Sequence, residues 1–323
     1  MTAWVSIAWA SVLLAGLLLP QQVHCAGVSE RPVRLIFPLP SGSASDAAAR
    51  ALAQRLSKLW GRQVVVDNRP GAGTTIATDL VAKATADGYT MGWVIAAHAI
   101  NPSLFARLPY DSVRDLRGVT LVYQLKFLIV TAADSPLTTP SDLVAAAKAK
   151  PGRITFTSAA VGTGGHLLGE LFKLQHGLEM EHVGYKGAPA AHPDVIAGRV
   201  PVMFDTLPSA LPHIQAGRLK AIAVVDDKPH ATLPGVPALK GLLPANAVTG
   251  WNGIVVPAGA PRQVVAKLHA GLLAAIRSPE VQSMLATLHV ETVTSTPEQF
   301  DDFIQTEIVR WGEVVKRTGV RLH

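Results

Sequence analysis

Twice in this 323-residue chain a short apolar run gives way to a loop of small residues that opens into an amphipathic helical pattern. The first run, Val33-Arg-Leu-Ile-Phe37, lies between Pro32 and Pro38 and reads as a buried strand. Leu39-Pro-Ser-Gly-Ser-Ala-Ser45 follows, and Asp46 heads a helix whose Ala49, Leu52, Ala53, Leu56 and Trp60 share one face. In the second, Ile154-Thr-Phe-Thr157 leads through Ser158-Ala-Ala-Val-Gly-Thr-Gly-Gly165 to a helix carrying Leu167, Leu168, Leu171, Phe172 and Leu174. Around the first unit the pattern continues as a strand at 63–66, a helix at 74–84, a turn at Asp87-Gly88 and a strand at 91–95. This βαβαβ alternation predicts a mostly parallel sheet with helices on both faces.

The second half repeats the theme. A helix over 143–149 ends at Pro151-Gly152, and strands follow at 154–157, 200–204 and 219–225, with a short helix through Leu211 and Ile214. A strand at 253–256 then leads to three amphipathic helices, at 261–277, 279–288 and 297–316. Two similar halves predict an α/β chain of two lobes with a ligand between them. Placing the crossings at 126–130 and 219–225 returns the C-terminal helices to the first lobe. The expected division is lobe 1 at 27–127 plus 228–323, and lobe 2 at 128–227.

Several function classes are excluded. Hydrophobic residues at 49% and charged residues at 16% rule out a disordered or coiled-coil chain. The 29 basic and 23 acidic residues are scattered singly, without the aromatic-interleaved basic run that a nucleic-acid face needs. The one cysteine, Cys25, falls at the edge of a leader, so a mature chain cleaved there has no disulfide, catalytic thiolate or Cys-based zinc site. Eleven histidines include no i, i+4 pair and no H-E-x-x-H, so no metal is expected, and His176 and His182 read as surface residues. Gly71-Ala72-Gly73 begins like a dinucleotide fingerprint, but Ile76 stands where its third glycine belongs, and no P-loop occurs, so no cofactor is expected. Without G-x-S-x-G or another recognisable nucleophile–base pair, a hydrolase or isomerase is the weaker rival, and the chain reads as no enzyme.

The leader spans 1–26: residues 3–19 are apolar or small, Pro20 ends the run, and Val23-His24-Cys25-Ala26 offers a cleavage point. The first basic residue is Arg31, so the usual positive start is missing. An uncleaved anchor is the alternative, because about 17 residues is the short limit for spanning a bilayer. The expectation is export to the periplasm.

Each small-residue loop frees backbone N–H groups at the partially positive end of a helix, where a carboxylate or phosphate can take them. Gly42, Gly162, Gly164 and Gly165 allow close approach to a ligand, and Ser41, Ser43, Ser45, Ser158 and Thr163 add hydroxyls. Ordinary capping by Ser45 or Asp46 and by Thr163 is the alternative for either loop alone. Asp205, after the strand Pro201-Val-Met-Phe204, is either another cap or an acceptor for a ligand's amino or hydroxyl group. Trp251 either walls a cleft or fills the core beneath the C-terminal helices.

Further motifs carry a family likeness. Asp67-Asn-Arg-Pro-Gly-Ala-Gly73, Asp87-Gly-Tyr-Thr90, His98-Ala-Ile-Asn-Pro-Ser103, Leu108-Pro-Tyr-Asp111, Tyr185-Lys-Gly187, Met203-Phe-Asp205 and Leu207-Pro-Ser-Ala-Leu-Pro-His213 resemble the Bug-type receptors of tripartite tricarboxylate transporters. The likeness runs in order along nearly the whole mature chain. It implies a two-lobed periplasmic-binding-protein fold of the Venus-flytrap, type II-like kind, a monomer without catalysis. The implied ligand is a small organic acid held by backbone amides, hydroxyls and water. The implied partners are membrane permease subunits; an orphan or sensory ligand-presenting role is the alternative.

By the same resemblance the first-lobe ligand loop is Leu39 to Asp46, with Ser41, Gly42 and Ser43, and the second runs from Ser158 through Gly162, Thr163, Gly164 and Gly165 to His166. Ala97 and His98 match a third segment lining the cleft, and Asp205 matches as well. Gly164 and Gly165 replace two serines of the family pattern. The substitution suggests room for a less polar or bulkier monocarboxylate in preference to citrate-like acids.

Overall fold

The structure is a computed structural model that describes residues 31–240 and 250–322, so the leader at 1–26 lies outside the described residues. Two sheets organise the described chain. In the first, β1 (Val33–Phe37) lies between β2 (Val64–Asn68) and β3 (Thr90–Ile95), both parallel to it. β10 (Gly250–Pro257) runs antiparallel between β3 and β4 (Leu116–Leu125), and the short β11 (Glu291–Thr292) pairs with the outer edge of β4. The second sheet has the order β7-β6-β8-β5-β9, built from β5 (Phe127–Ala132), β6 (Ile154–Ser158), β7 (Met180–Val183), β8 (Val202–Thr206) and β9 (Leu219–Val225).

The sheets are mixed, which corrects the mostly parallel expectation. β6 pairs in parallel with β7 and β8, but β5 is antiparallel to both β8 and β9. The reversal comes from how the chain changes sheets. Only Lys126 separates β4 from β5, so two consecutive strands belong to different sheets. The return runs from Val225 at the end of β9 to Gly250 at the start of β10, so β9 itself stays in the second sheet. The Lys126 ammonium and the Asp226 carboxylate, one on each connecting segment, pair at 2.7 Å.

Helices cover the sheets as their apolar stripes require. α1 (Ala44–Trp60) buries Ala48, Ala49, Leu52, Ala53 and Leu56 and stops at Gly61, which takes the left-handed conformation. α8 (Arg262–Ile276) and α9 (Pro279–Thr287) pack against α1. α10 (Pro297–Thr318) starts from a Thr296–Gln299 capping box and buries Phe300, Ile304, Trp311, Val314 and Val315. It lies on β4 and α3 (Ala97–Leu104) and also touches α5 (Gly164–His176), so it contacts elements of both lobes. α2 (Thr75–Ala82), α4 (Pro140–Ala149), α6 (Ala188–Ile196) and α7 (Leu207–Gln215) complete the set among the described residues. None of these helices is long and apolar enough to cross a membrane.

Candidate functional site: helix N-termini around an apolar chamber

Five strands, β1, β3, β6, β7 and β8, each hand the chain to a helix at their C-terminal ends, and the five helices α1, α3, α5, α6 and α7 begin around one chamber. Its volume is about 90 Å3, and it is lined by both sheets' loops. Ser43, Ala44 and Ser45 come from α1, Ala96 and Ala97 from α3, and Thr163, Gly164 and Gly165 from α5. Gly187 and Ala188 come from α6, and Thr206 and Ser209 from α7. The first-turn N–H groups of a helix have no intrahelical acceptor and sit at its positive end. Four of the five starts also lack a side-chain cap; only Ser43 supplies one, accepting from the Asp46 N–H at 3.2 Å. Thus the cap of α1 is Ser43, not Ser45 or Asp46.

Some donors are already engaged. The Gly187 N–H donates to the Ala159 carbonyl at 2.7 Å and the Leu207 N–H to the Lys126 carbonyl at 2.8 Å, while Pro189 and Pro208 have none to give. Richest in donors are therefore the starts of α1, α3 and α5. Thr163 does not cap α5, because its hydroxyl donates to the Ala160 carbonyl at 2.7 Å. Among the described residues no Lys or Arg lines the chamber, so its positive character comes from backbone.

Around these donors the walls are apolar: Leu39, Ile95, Leu125, Phe127, Phe204 and Trp251. Polar side chains are few and fixed. The Tyr123 hydroxyl donates to Ser45 Oγ at 2.9 Å, leaving the serine proton free to be donated onward. Burial pushes the Tyr123 phenol up, so it remains a donor. Asn252 Oδ1 accepts from the Trp93 indole at 2.7 Å, which leaves the amide NH2 as a donor. Asp205 is buried; its Oδ2 lies 2.7 Å from His192 Nε2, and its Oδ1 accepts from the Thr206 N–H at 2.8 Å. Trp251 takes both expected roles. It lines the chamber, donates to Glu307 at 3.0 Å and sets its ring edge-on to Phe300 and Phe303 of α10.

Of the candidate ligand residues, Leu39, Ser43, Ala97, Thr163, Gly164, Gly165 and Asp205 meet at this chamber, together with Ser45 and Trp251. Ser41, Gly42, Asp46, His98, Ser158, Gly162 and His166 do not line it. Asp46 is an organiser of the first loop: Arg50 Nε at 2.8 Å, Asn68 Nδ2 at 2.8 Å, the Gly42 N–H at 3.0 Å and Ser41 Oγ at 3.3 Å all donate to its carboxylate. Burial alone would raise that carboxyl, but the bonds from Arg50, Asn68 and Gly42 outweigh it and hold it below the usual range. Gly42 itself lines a hollow outside the chamber. His98 points into the core and stacks on Tyr110 with centroids 6.4 Å apart; neither of its ring nitrogens has a partner, and burial lowers it to about 4.

Ser158, Gly162 and His166 lie behind the second loop. His166 Nδ1 accepts from the Gly162 N–H at 3.2 Å, and its ring lies tilted against that of His182 with centroids 4.1 Å apart. His182 Nε2 in turn meets Ser158 Oγ at 3.0 Å. His182 is therefore half-buried rather than a surface residue. Burial, then the neighbouring positive charges, lowers His166 to about 4 and His182 to about 3. Gly164 and Gly165 do not open room for a larger ligand, contrary to expectation. A Cβ at Gly165 would stand 2.4 Å from the Phe204 carbonyl oxygen, and one at Gly164 would stand 2.8 Å from the Phe127 ring. Glycine is needed there so that α5 can seat against β8.

Sequence reasoning missed Phe127, Ala188, Ser209 and Asn252. The proline just inside the start of α6 and of α7 was a usable signal for two of these junctions.

Comparison with known proteins gives a consistent picture. Residues 48–320 match the Tripartite tricarboxylate transporter family receptor. Protein BugT of Bordetella pertussis is 34% identical over 325 residues, covering 100% of this chain and 99% of that protein. An R. palustris protein solved with adipate superposes with a TM-score of 0.84 at 32% identity, covering 90% of this chain and 98% of that one. MatC from Rhodopseudomonas palustris with bound malate gives 0.81 at 27% identity, covering 88% and 99%.

Proposed function

The chain belongs to the tripartite tricarboxylate transporter receptor family, of the Bug type, and from that premise we propose that it is a periplasmic receptor that closes on a small organic carboxylate. The observation that carries this reading is the convergence of five helix starts on one apolar chamber with no cationic side chain in its lining among the described residues. A carboxylate there accepts backbone N–H groups of α1, α3 and α5, with Ser45 and Thr163 beside them and the ligand's body against Phe127, Phe204 and Trp251. The relatives solved with adipate and with malate favour the same ligand class. The chemistry is recognition, with N–H···O distances of about 2.7–3.2 Å and water bridging what direct contacts do not reach.

In this reading the leader at 1–26 directs export. The lobes, 27–127 plus 228–323 and 128–227, move about the connections that Lys126 and Asp226 tie together. The closed form is the one presented to membrane permease subunits. Mass spectrometry of acid released from the purified protein, with scattering measured before and after saturation, tests the proposal. A carboxylate in the released fraction and a smaller radius of gyration with ligand are expected. No stabilisation by any carboxylate, or an unchanged radius, overturns it.

A further inference from the structure

Asp205 is the one acidic side chain in the chamber lining among the described residues, and in a space suited to an anion it opposes the ligand's charge. Its carboxylate is fixed in place. Oδ1 accepts from the Thr206 N–H at 2.8 Å, and Oδ2 lies 2.7 Å from Nε2 of His192, a residue as buried as Asp205 itself. His192, on α6, does not line the chamber. It lines a separate hollow together with His213 of α7, and Ser43, Ala44 and Ser209 border both spaces, so the two adjoin. The Asp205–His192 pair therefore runs through the wall between them, with its acid on the ligand's side and its imidazole on the other.

The charge of such a pair is set by one proton. A neutral imidazole donating through Nε2 leaves the pair with a single negative charge, and a proton on the second ring nitrogen makes the pair neutral overall. The surroundings decide which form is held. The His213 ring lies against that of His192 with centroids 4.3 Å apart, but burial first, and then the charges of His192 and Arg218, hold His213 below its ordinary value, so it stays neutral. Its Nδ1 is closed off from solvent and has no hydrogen-bond partner. Arg218, the one cation lining the hollow among the described residues, opposes a charge on His192, and no acidic side chain there supports one. Asp194, two residues further along α6, is engaged by Tyr185 and, at 2.8 Å, by Arg199. On the chamber side no Lys or Arg is present among the described residues. An anion arriving beside Asp205 adds a second negative charge to that balance, and the form of the pair that it favours is the protonated one.

We propose that the Asp205–His192 pair makes capture proton-linked: the acid anion enters the chamber with one proton, which the pair holds while the anion is bound and gives up when it leaves. The proton is drawn from solvent, adds to the second ring nitrogen of His192 and returns to solvent on release. The proposal rests on the carboxylate-receptor reading and adds a proton to the anion as co-ligand. His192 acts through Asp205 and is a positioning residue, not a ligand contact.

Calorimetric titration of the purified exported protein with adipate, malate and benzoate tests this, each run in paired buffers of low and high ionisation heat from about pH 6.5 to 8.5. These carboxylates are essentially ionised throughout that range, so a proton in the balance belongs to the protein. For each acid that binds, the difference in enthalpy between the buffers is expected to show uptake approaching one proton, and affinity is expected to fall up to about tenfold per pH unit where uptake is greatest. His192→Gln keeps an N–H for Asp205 but cannot carry the proton, so it binds with no uptake and an affinity flat in pH. Asp205→Asn, which removes the charge, loses the uptake as well, so the assignment does not hang on the folding of one variant. A merely structural His192 would lower affinity equally at every pH and leave the uptake in place. Equal enthalpies in both buffers throughout the range overturn the proposal, and so does uptake that persists in both variants. No heat and no rise in melting temperature with any of the acids is a different result: it overturns the carboxylate reading itself, and the proton linkage with it.

Discussion

Gly165→Ala isolates how the second loop is built. The added Cβ would stand 2.4 Å from the Phe204 carbonyl oxygen and 3.2 Å from Ser158 Cβ, where ordinary contact is 3.4–4 Å. About 1 Å of separation must therefore be created between the start of α5 and the end of β8, and the obstructing atom is backbone rather than a movable side-chain tip. Overpacking of this kind costs roughly 1–3 kcal/mol, and a rigid neighbour puts the expectation at about 2–3 kcal/mol. In a chain of this size that lowers the melting temperature by roughly 5–10 °C. The same displacement withdraws the Gly164 and Gly165 N–H groups from the chamber, so carboxylate affinity falls together with stability. Gly164→Ala is the control: its Cβ meets the tip of the Phe127 ring at 2.8 Å, which can rotate aside, so the melting shift is smaller. Calorimetric melting and ligand titration on both variants read the two effects. A Gly165→Ala protein that melts within a degree of the parent and binds equally well refutes the packing argument.

Other perturbations have signs set by the structure. His98 has an ordinary value of 6.5 and is lowered to about 4 by burial, so its contribution is present above 6.5 and lost as pH falls toward 4. About 2 kcal/mol is lost by pH 5 from this group alone; denaturant titrations at pH 7.5 and 5.0 measure it, and a His98→Phe variant should show a flatter dependence. His166 and His182 act in the same direction. Asp46→Ala removes four donors' common acceptor and should cost about 2–3 kcal/mol while loosening residues 39–43; affinity unchanged in calorimetry would show the loop is held some other way. Asp205→Ala should weaken acids bearing a hydroxyl or amino group by roughly 1.5–3 kcal/mol and leave plain acids nearly untouched. Equal losses for both kinds of acid would make Asp205 a structural partner of His192 only.

The two strand–loop–helix units were legible because their signals are local. β1 spans the residues that its apolar run marks, and the face of α1 follows from a 3.6-residue period. The stretch from Leu116 to Ala132 was not legible as two strands. It is mostly apolar with scattered polar residues, and nothing local says that one half pairs with β10 and the other with β8 and β9. α3 and α6 were hidden by Pro102 and Pro193 inside them, residues that read as breakers until tertiary packing overrides them. In the site, small residues announced the loops but not their orientation. Whether a glycine faces a ligand or a neighbouring strand depends on contacts far along the chain, such as Gly165 against Phe204 and Gly162 against Leu104. Asp46 illustrates the same limit: its place in the loop is visible, yet its partners Arg50 and Asn68 decide that it turns inward.

The sign of the chamber follows from topology rather than from any one side chain. Parallel strands send their helices off from the same edge, so β1, β3, β6, β7 and β8 bring five positive helix ends to one place. Each end contributes roughly half a positive charge, against the single carboxylate of Asp205, which His192 and the Thr206 N–H already engage. An anion is therefore favoured as long as the strands and their loops keep their geometry, and exchanging wall residues alters shape without altering sign. That separation explains why the ligand's charge can be argued from the fold while its length and branching cannot. Length and branching are left to the apolar walls, Phe127, Phe204 and Trp251 among them. Within one such scaffold, selection among acids can proceed by substitutions that leave the five helix starts untouched.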